Sequence, residues 1–297
     1  MVKEAHHHNN SHIPVLLEAV VRILSPKSGE SYLDLTAGYG GHASVVLSKT
    51  GDVGKLTLVD RDEHAIKSLS KSELNGARII HQDFASAAKQ LTEAGERFDM
   101  ILIDLGVSSP HLDNAERGFS FQTDAKLDMR MDNRQQLTAD ELVNHCSEQE
   151  LIRILREYGE EPKAKKIAAG IIAARPISTT LQLAEVVEKM YGRRGKIHPA
   201  TRTFQALRIA VNEELSQLAA VLPLLPDLLN AGGRVAIISF HSLEDRLVKQ
   251  FFANERQSGY EARLQVLTKK PVSGAHEDVL NPRARSAKLR AAVKINT

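Results

Sequence analysis

From Pro14 onward, apolar and polar residues fall into blocks that predict helices and strands in turn. Pro14–Leu24 (PVLLEAVVRIL) repeats its apolar residues at helical spacing until Ser25-Pro26 stops it. Ser31–Thr36 (SYLDLT), Lys55–Val59 (KLTLV), Ala77–His81 (ARIIH) and Asp99–Leu105 (DMILIDL) are short apolar runs with little alternation. Such runs, separated by segments of helix length, predict a parallel sheet covered on both faces, an α/β doubly wound fold.

After Pro110 the pattern changes. Between about 114 and 200 strand signal almost disappears. Thr138…Glu141, Ser147…Glu150 and Thr179…Gln182 each place Ser or Thr three residues before Glu or Gln, the spacing of a helix capping box. A longer helix follows from about Pro199. Strand character then returns at Arg234–Phe240 (RVAIISF), behind Gly232-Gly233, and again at Leu264–Lys269 and Lys288–Ile295. The simplest account is one sheet interrupted by an all-helical insertion. It gives a discontinuous core of 12–113 plus 210–297 and a helical domain at 114–209. Residues 1–11 (MVKEAHHHNNS) are polar and aperiodic and predict a disordered leader, with His6, His7 and His8 a remnant rather than a metal site.

Composition narrows the class of protein. No apolar run approaches the ~20 residues that span a bilayer, and no secretory-type apolar core follows the N-terminus. The single cysteine, Cys146, excludes an internal disulfide and a multi-cysteine zinc site, and reads as a small buried apolar side chain. A cytoplasmic protein without a membrane partner fits. The net charge of +2 is unevenly spread: residues 150–208 carry twelve Lys/Arg against six Asp/Glu, and 281–297 carry five against none. Two such segments suit a polyanionic partner, although solvated helix faces would look the same.

The chemistry begins at Asp34-Leu-Thr-Ala-Gly38-Tyr-Gly40-Gly41-His42-Ala43, where a strand ends, the chain turns on glycines and a helix starts. Glycine there allows positive φ and leaves room for a ligand against the main chain. Asp60, twenty-two residues past Gly38 at the end of the second strand, is placed to accept from the ribose hydroxyls of an adenosine. Phe84 follows the third strand where an adenine ring would rest, with Asp83 beside it to reach the exocyclic amine. Gly38-x-Gly40-x-x-Ala43 also satisfies the dinucleotide fingerprint, so an NAD-type oxidoreductase is the rival reading. Asp34 favours a methyl donor, because a carboxylate suits the ammonium of a methionine moiety and repels a pyrophosphate. The helix start at Gly41 offers N–H groups to the methionine carboxylate. The fourth strand ends in Asp104-Leu-Gly-Val-Ser108-Ser109-Pro110-His111. It has the acidic start of an amino-methyltransferase motif without the Pro-Pro-aromatic part, so these residues leave the acceptor open.

DLGVSSP (Asp104–Pro110), ERGFSF (Glu116–Phe121), LDMRMD (Leu127–Asp132), HPATRTFQALRIAVNEEL (His198–Leu215), ISFHSLEDR (Ile238–Arg246) and NPRARSAKLR (Asn281–Arg290) resemble, in order, the signature blocks of the RsmH/MraW family of 16S ribosomal RNA cytosine-N4 methyltransferases. The resemblance runs from about His12 to the C-terminus. It implies a Rossmann-like class I methyltransferase sheet, S-adenosylmethionine as methyl donor, and N4 of a cytosine in the decoding region as acceptor. The implied partner is 16S ribosomal RNA within the small ribosomal subunit, with a homodimer as an option. Gly40, Gly41, His42, Asp60, Phe84, Asp104 and His111 fall on the family's cofactor positions. Two positions depart: residue 111 is commonly Gln, and Asp34-Leu-Thr-Ala-Gly38 stands where the family has Asp-Gly-Thr-Phe-Gly.

A cytosine amine is a weak nucleophile, so catalysis would rest on orientation and on an acceptor for an amine hydrogen. Asp104 or the neighbouring main-chain carbonyl is expected in that role, with cofactor binding alone the other reading of Asp104, and His241 is expected near the substrate. Arg117, Arg130, Arg202, Arg208, Arg283 and Arg285 are candidate phosphate contacts, and Phe119 and Phe121 either stack on a base or anchor the insertion. No metal-ligand spacing is evident. A catalytically silent RNA- or ribosome-binding protein is the remaining alternative.

Overall fold

Alternate residues of each central strand feed two separate cores, and this sets the layering. A computed structural model describes residues 14–191 and 198–295; the leader at 1–11 and its histidines lie outside the described residues. Eight strands form one sheet: β1 (Tyr32–Asp34), β2 (Leu56–Asp60), β3 (Arg78–His81), β4 (Phe98–Asp104), β5 (Leu229–Ser239), β6 (Leu264–Val266), β7 (Val272–Ser273) and β8 (Lys288–Lys294). Their order is β3-β2-β1-β4-β5-β8-β6, with β7 also paired to β8. β1 to β5 run parallel, whereas β8 lies antiparallel to β5, β6 and β7. The doubly wound sheet therefore carries one reversed strand, β8, between β5 and the edge strand β6, a direction that an apolar run does not encode.

Leu33, Ile101, Ile103, Val235 and Ile237 pack on one face against helices Phe84–Glu93, Glu214–Val221 and Ser242–Gln257. Tyr32, Leu58, Met100, Leu102 and Ile238 pack on the other, against helices Leu17–Leu24, Gly41–Thr50 and Glu63–Leu69. Two-sided burial explains why the runs show no polar alternation. The first helix begins at Leu17, not Pro14, because Leu16 adopts φ +56° and gives its N–H to Asp278 Oδ2 at 2.9 Å. β5 begins at Leu229, not Arg234. Phe98 pairs with Leu229 but Met100 with Arg234, and the extra residues form a bulge that includes Gly232 at φ +73° and Gly233.

Residues 119–211 build a third core around Leu142, Leu151, Ile154, Ile167, Leu183 and Phe204, with the half-buried Cys146 against it. Its helices are Ala139–His145, Glu148–Glu157, Ala164–Ala174, Thr180–Tyr191 and Thr201–Asn212. Thr138 and Ser147 accept from the N–H groups of Glu141 and Glu150, and at Thr179 both arms of the capping box with Gln182 form. Buried Asn212 joins the segment entering this unit to the helix leaving it. Its Oδ1 accepts from Met131 N at 2.8 Å, and its Nδ2 donates to Met129 O and Arg208 O at 2.8 and 2.9 Å. Its carbonyl accepts from Arg61 Nη1 at 2.8 Å. Among the described residues no helix is long and apolar enough to cross a membrane.

Candidate active site

The strand order reverses between β1 and β4, which makes the gap beyond their carboxyl ends the usual ligand position in an open α/β sheet. Asp104 N donates to Thr36 Oγ1 at 2.6 Å across this gap. A cavity of 1050 Å³ opens at the same point. Gly38, Gly41, His42, Asp60, Phe84, Asp104 and His111 all lie on its wall.

Gly38 turns at φ +53°, and its N–H donates to Asp60 Oδ2 at 2.7 Å, while Asp62 N donates to Asp60 Oδ1 at 2.8 Å. Burial raises the Asp60 carboxyl above its ordinary range, against the lowering pull of those two amides. His42, on the first turn of the Gly41–Thr50 helix, is buried, and neither ring nitrogen has a hydrogen-bond partner. Its Nε2 stands 3.6 Å from Asp104 Oδ2, and Asp104 Oδ1 is likewise without a partner. Polar atoms left unpaired in a buried site cost free energy unless a ligand or water meets them. His42 and Asp104 both line the cavity, and their three unpaired atoms fit a polar ligand there.

His111 Nδ1 accepts from Ser108 N at 3.2 Å, which leaves Nε2 to donate to Asp62 Oδ2 at 2.8 Å. Burial works to raise Asp62, but His111, the His64 amide and Arg117 outweigh it and bring the carboxyl down to about 2. Asp62 was not singled out in the sequence, although a second acid in Val-Asp-Arg-Asp was its signal. Asp83 caps the Phe84–Glu93 helix through Ser86 N and does not line the cavity.

Two expected cofactor residues lie off the wall. Asp34 is 1% exposed and turned inward, accepting from Tyr32 Oη at 2.8 Å and Thr36 N at 3.1 Å, so no ammonium reaches it. Gly40, at φ +85°, packs where an added Cβ would stand 2.4 Å from Leu74, so its glycine serves packing beneath the turn. Burial pushes the Asp34 carboxyl up to about 6. An acid whose folded pKa lies above its unfolded value near 3.9 costs stability at neutral pH, and the cost is relieved as pH falls from 6 to 4. Relative to D34N, the wild-type protein is therefore expected to gain up to about 3 kcal/mol of unfolding free energy over that window. Denaturant melts of both proteins at pH 7, 6, 5 and 4 measure this, and a constant difference across the series would refute it.

Most of the expected RNA contacts are engaged internally. Arg117 donates to Asp62, Arg130 O and Met131 O. Arg130 forks onto Asp128 and also donates to Gln135 O. Phe119 is buried, its ring centroid 5.1 Å from that of His111. Phe121 packs between His198 and Phe204 at 4.5 and 4.8 Å, the anchoring reading rather than the stacking one. Arg202 is exposed and donates to Glu160 O. Arg283 stands at the cavity rim, paired with Asp113, and Arg285 is exposed. His241 caps the Ser242–Gln257 helix in a reciprocal box with Glu244 and is not on the cavity wall.

Arg208 is turned inward instead of toward phosphates. It lines the cavity with Glu214 and Glu244, and its Nε and Nη2 hold both Glu214 oxygens at 2.8 Å. Glu214, His241 and Glu244 bring ligand-type atoms within 4.8 Å of one another, a cluster that sequence spacing did not disclose.

The profile of the MraW methylase family matches residues 9–295. Ribosomal RNA small subunit methyltransferase H of Acidobacterium capsulatum is 47% identical over 296 residues, covering 95% of this chain and 98% of that protein. The protein of the same name from Synechocystis sp. is 49% identical over 297 residues, covering 96% and 93%. Its counterpart in Geobacter sp. strain M21 is 47% identical over 308 residues, covering 96% and 98%. With a family match over nearly its whole length and relatives at this identity, the chain belongs to the MraW methylase family.

Proposed function

We propose that the protein transfers a methyl group from S-adenosylmethionine to N4 of a cytosine in the decoding region of 16S ribosomal RNA. The observation that carries this reading is one continuous cavity. Its wall takes in the glycine turn, His42 and Asp104 with their unpaired atoms, and the charged pair Arg208 and Glu244. At 1050 Å³ it reaches the top of the usual range for small-ligand sites, with room for a donor and an extruded base together.

When bound, S-adenosylmethionine supplies an electrophilic methyl on a sulfonium sulfur. In this reading Asp60 accepts from the ribose hydroxyls, Phe84 lies beside the adenine, and the Gly41 helix start meets the methionine carboxylate. Asp104 Oδ1 accepts a hydrogen from the acceptor amine and so aims the nitrogen. The division of the chain supports a separate task for residues 114–209, which we assign to the RNA. With several arginines drawn inward, exposed lysines such as Lys165 and Lys166 remain for phosphates.

The test is incubation with tritiated S-adenosylmethionine and small ribosomal subunits that lack the modification, followed by nuclease mapping. Label on cytosine N4 in the decoding region is the expected result. Cofactor binding without label would favour a silent binder or another acceptor, and no cofactor binding would sink the reading.

A further inference from the structure

Among the charged groups on the cavity wall, Glu244 and Arg208 are two that cofactor binding does not use. Glu244 is 1% exposed, and its Oε2 accepts from the N–H groups of Phe240 and His241 at 2.7 and 3.3 Å. Its Oε1 has no hydrogen-bond partner, although the residue lines the cavity. His241 Nε2 stands 3.2 Å from Oε1 but off the line of a hydrogen bond. Arg208 is held in one orientation by its fork onto Glu214, and its Nη1 donates to no group among the described residues. Arg208 and Glu244 are near enough for their charges to act on each other.

A cation does not suit this cluster. Arg208 occupies both oxygens of Glu214. His241 Nδ1 accepts from Glu244 N, so Nε2 carries the hydrogen and has no lone pair for a metal.

An anchored carboxylate beside a fixed guanidinium presents one acceptor next to a row of donors. An aminopyrimidine presents the complement: an amine donor, then a ring nitrogen and a carbonyl that accept. We propose that Glu244 and Arg208 form the subsite that reads the edge of the target base, Glu244 accepting an amine hydrogen and Arg208 donating to the neighbouring ring nitrogen and carbonyl. The proposal rests on the methyltransferase reading above, and it makes Glu244 a catalytic residue. The amine has two hydrogens, and Asp104 and Glu244 take one each. As the N–C bond forms, the C–S bond of the donor breaks and its electron pair returns to sulfur. The nitrogen is left with a surplus proton, which passes to Glu244 Oε1 and on to solvent.

The test uses Glu244→Gln, because glutamine at the third helical position still accepts from the two capping amides and turns its NH2 toward the cavity. On unmodified small subunits its kcat is expected to fall about 100-fold, with the affinity for S-adenosylhomocysteine within about twofold of wild type by calorimetry. Saturation-transfer NMR of the S-adenosylhomocysteine-loaded protein with equimolar cytidine and uridine gives a second reading, independent of turnover. Wild type is expected to favour cytidine by about tenfold, and E244Q to lose or reverse that preference, since an amide donates to the O4 of uracil. Wild-type turnover in E244Q, the same preference in both proteins, or no preference in wild type would each overturn the subsite; the last arm needs no variant. Failure of the wild-type protein to label subunits would instead strike the proposed function.

Discussion

Asp104→Ala is expected to lower methyl transfer about 100- to 1000-fold and to leave the fold intact. Only the backbone of Asp104 takes part in a structural bond, through its N–H to Thr36 Oγ1. Its side-chain oxygens hold no hydrogen bond in the protein: Oδ1 has no partner, and Oδ2 faces His42 at 3.6 Å. Truncation therefore removes the acceptor proposed for the reacting nitrogen without orphaning a protein donor. D104N, which keeps one acceptor oxygen, should retain more transfer than D104A. Single-turnover kinetics on unmodified subunits, paired with thermal melts, separate chemistry from stability. Transfer by D104A within tenfold of wild type, with an unchanged melt, would remove Asp104 from the mechanism.

The largest effect on stability is expected at Asn212. Asn212→Leu approximately keeps side-chain volume but leaves Met131 N–H and Met129 C=O without their partners in a buried place, while Arg208 C=O keeps only its helical N–H. At about 1–3 kcal/mol for each unsatisfied group, and with partial relaxation, the loss is about 3–5 kcal/mol. For a chain of this size the melting temperature should fall by about 5–8 °C. Arg61, which lines the cavity, donates to the main-chain carbonyl of residue 212, which the substitution keeps, so cofactor affinity should change little. A melt within 3 °C of wild type would mean that the hub is dispensable.

The parallel strands were legible because burial on both faces leaves Leu33, Ile101 and Val235 inside unbroken apolar runs. β7 was missed: two half-buried residues give no periodicity. The glycine turn and Asp60 were readable because positive φ and a strand-end acid each leave a local mark. Asp34 misled, since chain order places an acid at the turn without saying which way its side chain points. The arginines misled for a related reason. A cation count registers Arg117 and Arg208 but not the carboxylates of Asp62 and Glu214 that the fold brings to them. Glu244 was passed over because its box partner is His241, outside the Ser/Thr pattern used to find caps.

The sheet joins β4 to a partner encoded far downstream, and this matters while the chain is being made. From Asp104 to Ser239 a ribosome at about 5–20 residues per second needs on the order of 10–30 s. Throughout that interval β4 is a bare parallel edge whose apolar side chains have no second neighbour, the geometry that invites pairing with other chains. The five helices between residues 139 and 212 have their own apolar interior and contacts close in sequence, so they are suited to condense first and draw the two halves of the sheet together. A lesion in those helices should therefore appear as aggregation during synthesis even when every atom around the cavity is native.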